Sequence, residues 1–187
     1  IRESHFRDGL IRLSQNEEWL KQFPVGEMTR LKWIAPANST REKIGASLEF
    51  FGVATVADWR SRYEEASQLT VFRTSNSFKS REGAVLAWLR KGELESSSFN
   101  CNPWDPVRLR AALPTIRMLT REKDPVVFIP ELQDICAKCG VAVVIEKSPS
   151  ECRASGATRF LGGDKALLML SFRHLSDDHF WFTFFMR

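Results

Sequence analysis

The stretch DDHFWFTFFMR, residues Asp177–Arg187, decides how the second half of the chain must fold. Ser176 and the two acidic residues after it predict a helix start, because a hydroxyl and carboxylates interact favourably with the free N–H groups of a first helical turn. Every residue from Phe180 to Met186 except Thr183 is apolar. A helix without a polar face should be covered by protein on all sides. We therefore expect further polypeptide to pack around this helix.

Three short apolar segments precede this helix and predict β-strands. They are VAVVIEK (141–147), GATRFL (156–161) and KALLMLSF (165–172). The residues GGD at 162–164 separate the last two segments and are typical of a hairpin turn. The sequence therefore predicts a small three-stranded sheet directly before the aromatic helix.

Helix signals run through the first half of the chain. Apolar residues recur at three-and-four spacing over residues 2–23 and 25–34, and again in segments that follow capping residues. The predicted starts are Ser39 with Glu42, Thr55 with Asp58, Ser80, Asp105-Pro106 and Asp124-Pro125. The predicted ends are Pro24, Gly52, Gly92 and Gly140. We predict an α+β protein, with an all-helical connector region over residues 1–119 and the N-terminal part of an α+β domain over residues 120–187.

Composition and charge limit the classes of protein to which this chain can belong. The chain has 187 residues, 43% of them hydrophobic, which allows one or two domains with a real core. Its apolar runs are too short to cross a membrane, and it begins without a secretory signal. The net charge of +4 comes from basic residues mixed with acids, as in RSRYEE (60–65), which argues against DNA binding by this part of the protein. Four cysteines are too few for a disulfide scaffold, so we expect reduced thiols and a cytoplasmic location.

The cysteines include one C-x-x-C pair, Cys136 and Cys139, at the predicted C-terminal end of a helix. A redox pair of this kind belongs at a helix N-terminus, where the dipole stabilises thiolate. Cys101 and Cys152 could complete a four-thiolate metal site only if the tertiary fold brought them to the pair. The simpler interpretation is that small buried side chains pack the helix against the sheet.

Histidines, tryptophans and one strand leave further alternatives open. The histidines are His5, His174 and His179, and the last two could orient a metal ligand or be structural. Most of the six tryptophans fall on apolar helical stripes, which favours core packing over base stacking. The segment 165–172 is either an edge strand that pairs with extended substrate backbone or an ordinary hairpin strand within the sheet.

The segment CGVAVVIEKSPSECRASGATRFLGGDKALLMLSFRHLSDDHFWFTFF (139–185) resembles the part of ImmA/IrrE-family zinc metallopeptidases that precedes the active-site helix. Its most specific pieces are SGATRFL, DKALLMLS and DDHFWFTFF. AVLAWLRKGELES (84–96) and DPVRLRAALPTIRMLTREKDP (105–125) are similar to the helical connector of family members that carry a helix-turn-helix DNA-binding domain, as in HigA-like antitoxins and phage regulators. The resemblance covers nearly the whole chain and implies that the last helix is the start of a zincin-like active-site helix.

The resemblance also implies a zinc site that these residues do not supply. In the family, His-Glu-x-x-His is expected to follow the aromatic segment, with both histidines on one helix face as zinc ligands and the glutamate as general base. Met186 and Arg187 stand at the corresponding positions, and neither can do that chemistry. The sequence therefore offers no catalytic and no metal-ligating residue, although zinc is expected for an intact family member.

Three explanations remain for this ending: the polypeptide is cut here, residues are missing between Phe185 and Met186, or the protein has lost its ligands. The apolar helix favours the first two, because it needs further chain to cover it. The resemblance implies a bacterial regulatory protein that binds DNA through an N-terminal domain absent from this chain, and that cleaves or signals to a partner regulator. The alternative is a non-catalytic antitoxin or transcriptional regulator domain that forms a homodimer or binds a toxin.

Overall fold

The computed structural model describes residues 15–63, 71–72, 82–171 and 177–186. Residues 15–20 are helical. The helices that follow are α1 (Val25–Arg30), α2 (Thr40–Phe51), α3 (Val56–Tyr63), α4 (Glu82–Ser96), α5 (Pro106–Leu119), α6 (Pro125–Lys138) and α7 (Asp177–Phe185). The strands are β1 (Val71–Phe72), β2 (Val141–Ile145), β3 (Gly156–Phe160) and β4 (Ala166–Leu170). The predicted α+β class is confirmed, with most helices before the sheet.

By their contacts, the described residues form two compact units. The first contains residues 15–63, 82–90 and 149–152, and the second contains 71–72, 91–148, 153–171 and 177–186. These units do not divide at residue 119, because α5 packs on α6 inside the second unit. The separation of residues 1–119 as a connector and 120–187 as a domain stays a prediction.

The first unit is a helical cluster around packed aromatic rings. Its core rings are those of Trp19, Phe23, Phe51, Trp59 and Tyr63. Most of these rings meet edge to face at centroid distances between 4.9 and 6.4 Å, a favourable arrangement for aromatic pairs. The Tyr63 hydroxyl donates a hydrogen bond to the Phe51 carbonyl at 2.9 Å, so the one phenol of the cluster has a partner.

The helix ends of the first unit follow the capping signals. Ser39 and Glu42 form a capping box at the start of α2, and Gly52 ends the helix in the left-handed conformation at φ +68°. Thr55 and Asp58 exchange hydrogen bonds before α3, with Asp58 N–H donating to Thr55 Oγ1 at 3.1 Å. Both predicted starts are confirmed. The Ser80 start lies outside the described residues.

The second unit is built on a mixed sheet in the order β1-β3-β4-β2. β2 runs parallel to β4, with Val143 opposite Leu168, and β3 runs antiparallel to β4, with Thr158 opposite Leu168. Between β3 and β4, Leu161 N–H donates to the Lys165 carbonyl at 2.7 Å. The three predicted strands and the hairpin turn are confirmed.

The position of β4 decides one alternative. β4 pairs with β2 along one side and with β3 along the other, so both of its hydrogen-bonding edges are used. The interpretation of 165–172 as an edge strand for substrate backbone is therefore wrong, and the hairpin strand is correct. An added strand needs unpaired N–H and C=O groups, which a central strand does not offer.

Two predictions for the helical half need correction. α4 does not end at Gly92 but continues to Ser96. A Cβ on Gly92 would lie 1.9 Å from the Met169 sulfur, so the missing side chain allows close packing of α4 on β4 and is not a helix stop. The region 1–119 is also not all helical, since β1 pairs with β3 through Val71 and Thr158. A strand of two residues forms through this tertiary pairing and leaves no periodic signal.

The described residues cover α7 on one side only. Phe180, Trp181 and Phe184 are buried, whereas Phe182 and Phe185 are 52% and 43% exposed. At about 100° per residue, the buried and the exposed positions fall on opposite faces of the helix. The described chain therefore buries the Trp181 ring by itself, whereas the side of α7 with Phe182 and Phe185 is open, so the expectation of further polypeptide around this helix stays a prediction.

Gly140 marks the end of α6 and allows a close backbone approach. Its φ of +84° lies in the left-handed region, and a Cβ there would lie 2.3 Å from the Trp104 Cα atom. Residues before α5 cover the carbonyls at this helix end, with Asn102 N–H donating to Ala137 O at 3.0 Å and Asp105 N–H donating to Cys139 O at 3.1 Å. The predicted end at Gly140 is confirmed, and glycine is required there for two separate reasons.

Gly140→Ala and Gly162→Ala separate these two reasons. Gly162 has φ +73° and open space around its Cα, so alanine there should lower the free energy of unfolding by about 1 kcal/mol from backbone strain alone. Gly140→Ala adds the clash with the Trp104 backbone, and we expect a loss of roughly 3 kcal/mol. Urea unfolding of both variants measures the difference. Equal losses would contradict the close approach at Gly140.

Candidate functional site

The residues at the end of α7 do not form a metal site with their described neighbours. Met186 is 59% exposed after the last turn of α7, and Arg187 lies outside the described residues. His179 is exposed on α7, and its carbonyl accepts a hydrogen bond from Thr183 Oγ1 at 2.8 Å. His5 and His174 lie outside the described residues. Within residues 15–63, 71–72, 82–171 and 177–186, no three His, Cys, Asp or Glu side chains are placed to hold a metal ion.

The C-x-x-C pair lies inside the second unit as free thiols. Cys136 packs in the core with the strand residue Val143, and Cys139 caps α6. Burial raises the pKa of Cys136 to about 12, and the neighbouring thiols of Cys139 and Cys101 add to the shift. Cys152 belongs to the first unit. Burial and protonation fit the packing interpretation of this pair, because a metal ligand or redox thiol works as thiolate.

The tryptophans are core residues, as the apolar stripes predicted. Trp19, Trp33, Trp59, Trp88 and Trp181 are buried, and Trp104 is half-buried against Phe160. None of the five buried rings offers a free face for base stacking. None of the described helices has the length and apolar character needed to span a membrane.

The second unit presents a groove between α5 and the end of α7. Its volume is about 810 Å³. The residues that line it are Arg110, Leu113, Pro114, Arg117, Met118, Thr120, Arg121 and Phe185. The groove therefore has an apolar floor from both helices, two arginines on α5 and a third, Arg121, in the turn after it. We call it the α5–α7 groove.

α5 has two faces, one in the core of the second unit and one in the groove. Asp105 caps its start and accepts hydrogen bonds from Val107 and Arg108 N–H, both at 2.9 Å. Ile116 and Leu119 are buried in the core of the second unit. The groove residues occupy the other side, at positions 110, 113, 114, 117, 118 and 121, which is the three-and-four spacing of a single face.

The charge of the groove has one sign. Residues 106–121, PVRLRAALPTIRMLTR, contain four arginines and no acidic residue. Arg108 faces Asp105, with 3.7 Å between its Nε and the Asp105 carboxylate. None of the other three, Arg110, Arg117 and Arg121, forms an ion pair in the part of the chain that the structure describes. Their guanidinium groups leave a positive rim beside an apolar floor.

The other half of the floor comes from the exposed face of α7. Phe185 lies in the groove and stacks on Trp181 at a centroid distance of 6.1 Å, with 29° between the ring planes. Trp181 contacts Phe128 of α6 at 5.2 Å, so the buried ring holds the exposed one in place. Phe182 and Met186 lie on the same side of α7 as Phe185 and continue the apolar surface.

Sequence reasoning missed this groove. Leu113 and Met118 alternate with arginines at helical spacing, and that pattern was available in the sequence. It could not be separated from an ordinary solvated face, because long basic side chains commonly cover apolar neighbours. What identifies the groove is the tertiary position of Phe185 beside α5.

Comparison with known proteins adds no relative. No known family model, curated protein or solved structure matches this chain. The ImmA/IrrE resemblance therefore stays a prediction.

Labelling with iodoacetamide tests the state of the thiols. At pH 8 we expect Cys136 of the folded protein to react on the order of a hundredfold more slowly than the half-buried Cys101, because burial removes the thiolate that attacks the reagent. Peptide mass spectrometry after timed quenching measures both rates. In urea the two rates should become similar. Comparable rates in the folded protein would contradict the buried position of Cys136.

Proposed function

We propose that this chain works in a regulatory protein with an ImmA/IrrE-like domain, and that its second unit acts on or signals to a partner regulator. The observation that carries the proposal is the placement of α7 directly after β4 and against the sheet. A Cβ on Gly156 would lie 2.8 Å from Thr183 Cγ2, so glycine at the start of β3 allows α7 this approach. This is the order of strand, hairpin and aromatic helix that the resemblance implies.

Zinc is part of this proposal only for the natural protein. The described residues do not fit a zinc ion, because Cys136 is a protonated core thiol, and the exposed Met186 has a thioether that is a poor zinc ligand. We derive no catalytic step through a metal. The described residues of the second unit can hold the aromatic helix in place and present its exposed face and the α5–α7 groove to a partner.

The alternative is a non-catalytic antitoxin or transcriptional regulator domain that dimerises or binds a toxin. The α5–α7 groove favours it, since an apolar floor with a basic rim is suited to protein contact and carries no reactive group. In both versions, DNA binding belongs to a helix-turn-helix domain outside this chain, and the partner of the second unit is a protein.

Metal analysis of the natural gene product separates the two versions. If the peptidase version is right, the protein purified without chelators should contain about one equivalent of zinc per chain, because a catalytic zinc site binds one ion. The 187-residue chain is the matched control and should retain none after gel filtration. A natural protein free of zinc would contradict the peptidase version and leave the non-catalytic regulator.

A further inference from the structure

We propose that the α5–α7 groove binds an acidic amphipathic helix of a partner protein. The inference deepens the proposed function and rests on it, because it names the chemistry of the protein partner. It does not depend on zinc.

The floor is a continuous apolar surface and not a set of scattered side chains. Leu113, Met118 and Phe185 are 40%, 55% and 43% exposed, and all three line the same groove. Single exposed apolar residues are normal on protein surfaces, but contiguous apolar patches with a polar rim mark interaction sites. Methionine and phenylalanine are also enriched at the centres of protein interfaces.

The rim selects the charge of the partner. Arg110 and Arg117 lie on the groove face of α5 and Arg121 follows in the turn after it, with no carboxylate among the residues that line the groove. A partner that brings glutamates or aspartates to these positions would gain charge-assisted hydrogen bonds and faster association. A basic partner would place like charges together. The groove therefore favours acidic flanks around an apolar stripe.

The shape and length favour a helix. Residues 110–119 span roughly 14 Å along α5, which corresponds to about two and a half turns of a partner helix lying beside it. A helix with apolar residues at i, i+3 or i+4 and i+7 fills such a floor, which is the usual helix-in-groove mode. A small molecule would need several convergent polar groups to fix its orientation. The polar groups of this lining are only the guanidinium groups and the Thr120 hydroxyl, so the groove suits a helix better than a small molecule.

Nucleic acid fits the groove less well. Arginine rims attract phosphate, but a phosphate backbone laid along α5 would bury the Met118 and Leu113 side chains against charge. A nucleic-acid site for single strands would also need several open aromatic faces, and Phe185 is the single aromatic ring among the residues that line the groove. The apolar floor is therefore the feature that separates a protein partner from a nucleic-acid partner.

Peptide binding to the purified chain tests the inference. The probe is a fluorescent amphipathic peptide of about four helical turns, with leucines at helical spacing and glutamates on both flanks. Two control peptides are used. One has the same sequence with lysine in place of glutamate, and the other has the composition of the acidic peptide in scrambled order. We expect fluorescence polarisation to detect only the ordered acidic peptide, and its affinity to fall as salt rises, because the rim contacts are charged.

Variants of exposed residues locate the binding. Met118→Glu should lower the affinity for the acidic peptide at least about tenfold, which corresponds to the loss of one central contact. Val107→Glu, at the exposed start of the same helix, should change this affinity less than about twofold. Arg110, Arg117 and Arg121 changed together to Gln should weaken binding by at least about tenfold, and Lys147→Gln, away from the groove, should not. All these side chains are exposed, and circular dichroism checks that each variant folds.

Three results would overturn the inference. The first is that the acidic peptide does not bind at protein concentrations up to about 200 μM, because even a weak partner contact should be detectable at that concentration. The second is preferential binding of duplex DNA that depends on the arginines and not on Met118. The third is a dimer in sedimentation that Met118→Glu dissociates, which would assign the groove to a second copy.

The zinc and peptide measurements distinguish this inference from the proposed function. Zinc without peptide binding would contradict this inference and leave the proposed function. Peptide binding without zinc would support this inference and contradict the peptidase version.

Discussion

The second unit depends on the packing of one face of α7 against α6 and the sheet. Phe180 and Trp181 contact Phe128 of α6 at centroid distances of 5.4 and 5.2 Å, and Phe184 lies in the same core cluster. Large aromatic side chains bury more apolar area than other residues, so three of them on one short helix provide much of its tertiary stability. A helix of nine residues would be marginal in water without such contacts.

The same packing fixes what the helix leaves open. Once Phe180, Trp181 and Phe184 face inward, helical geometry directs Phe182 and Phe185 outward, whatever their hydropathy. From Phe180 onward every residue of α7 except Thr183 is apolar, yet the described chain covers only one side of this helix. The open side meets α5 at the α5–α7 groove, and the arginines of α5 give that surface its charge. Fold and candidate interface therefore have one structural cause.

Local chemistry made part of this fold predictable. The capping box at Ser39, the N-cap at Asp105 and the left-handed Gly140 each act within a few residues, so their spacing in the sequence was enough. The three strands of the sheet were also predictable, because their apolar runs are short and bounded by turn residues. These features do not depend on which distant elements pack together.

Other features depend on tertiary position and could not be predicted. Gly92 has the sequence signature of a helix stop, but its role is to admit Met169 of β4. Hydropathy could not show which side of α7 faces the described core, because nearly every position from Phe180 to Met186 is apolar. The α5–α7 groove needs Phe185 beside α5, and no signal in either helix alone reports that contact. The candidate site therefore came from the structure.

Radical footprinting of the folded protein tests most directly whether α7 has one buried and one open face. Brief exposure to hydroxyl radicals followed by peptide mass spectrometry reports the accessibility of each side chain. The packing described above predicts strong modification of Phe182 and Met186 and protection of Trp181, with the buried Met169 as an internal standard for protection. Modification of Trp181 as strong as that of Phe182, or protection of Met186 equal to that of Met169, would contradict it.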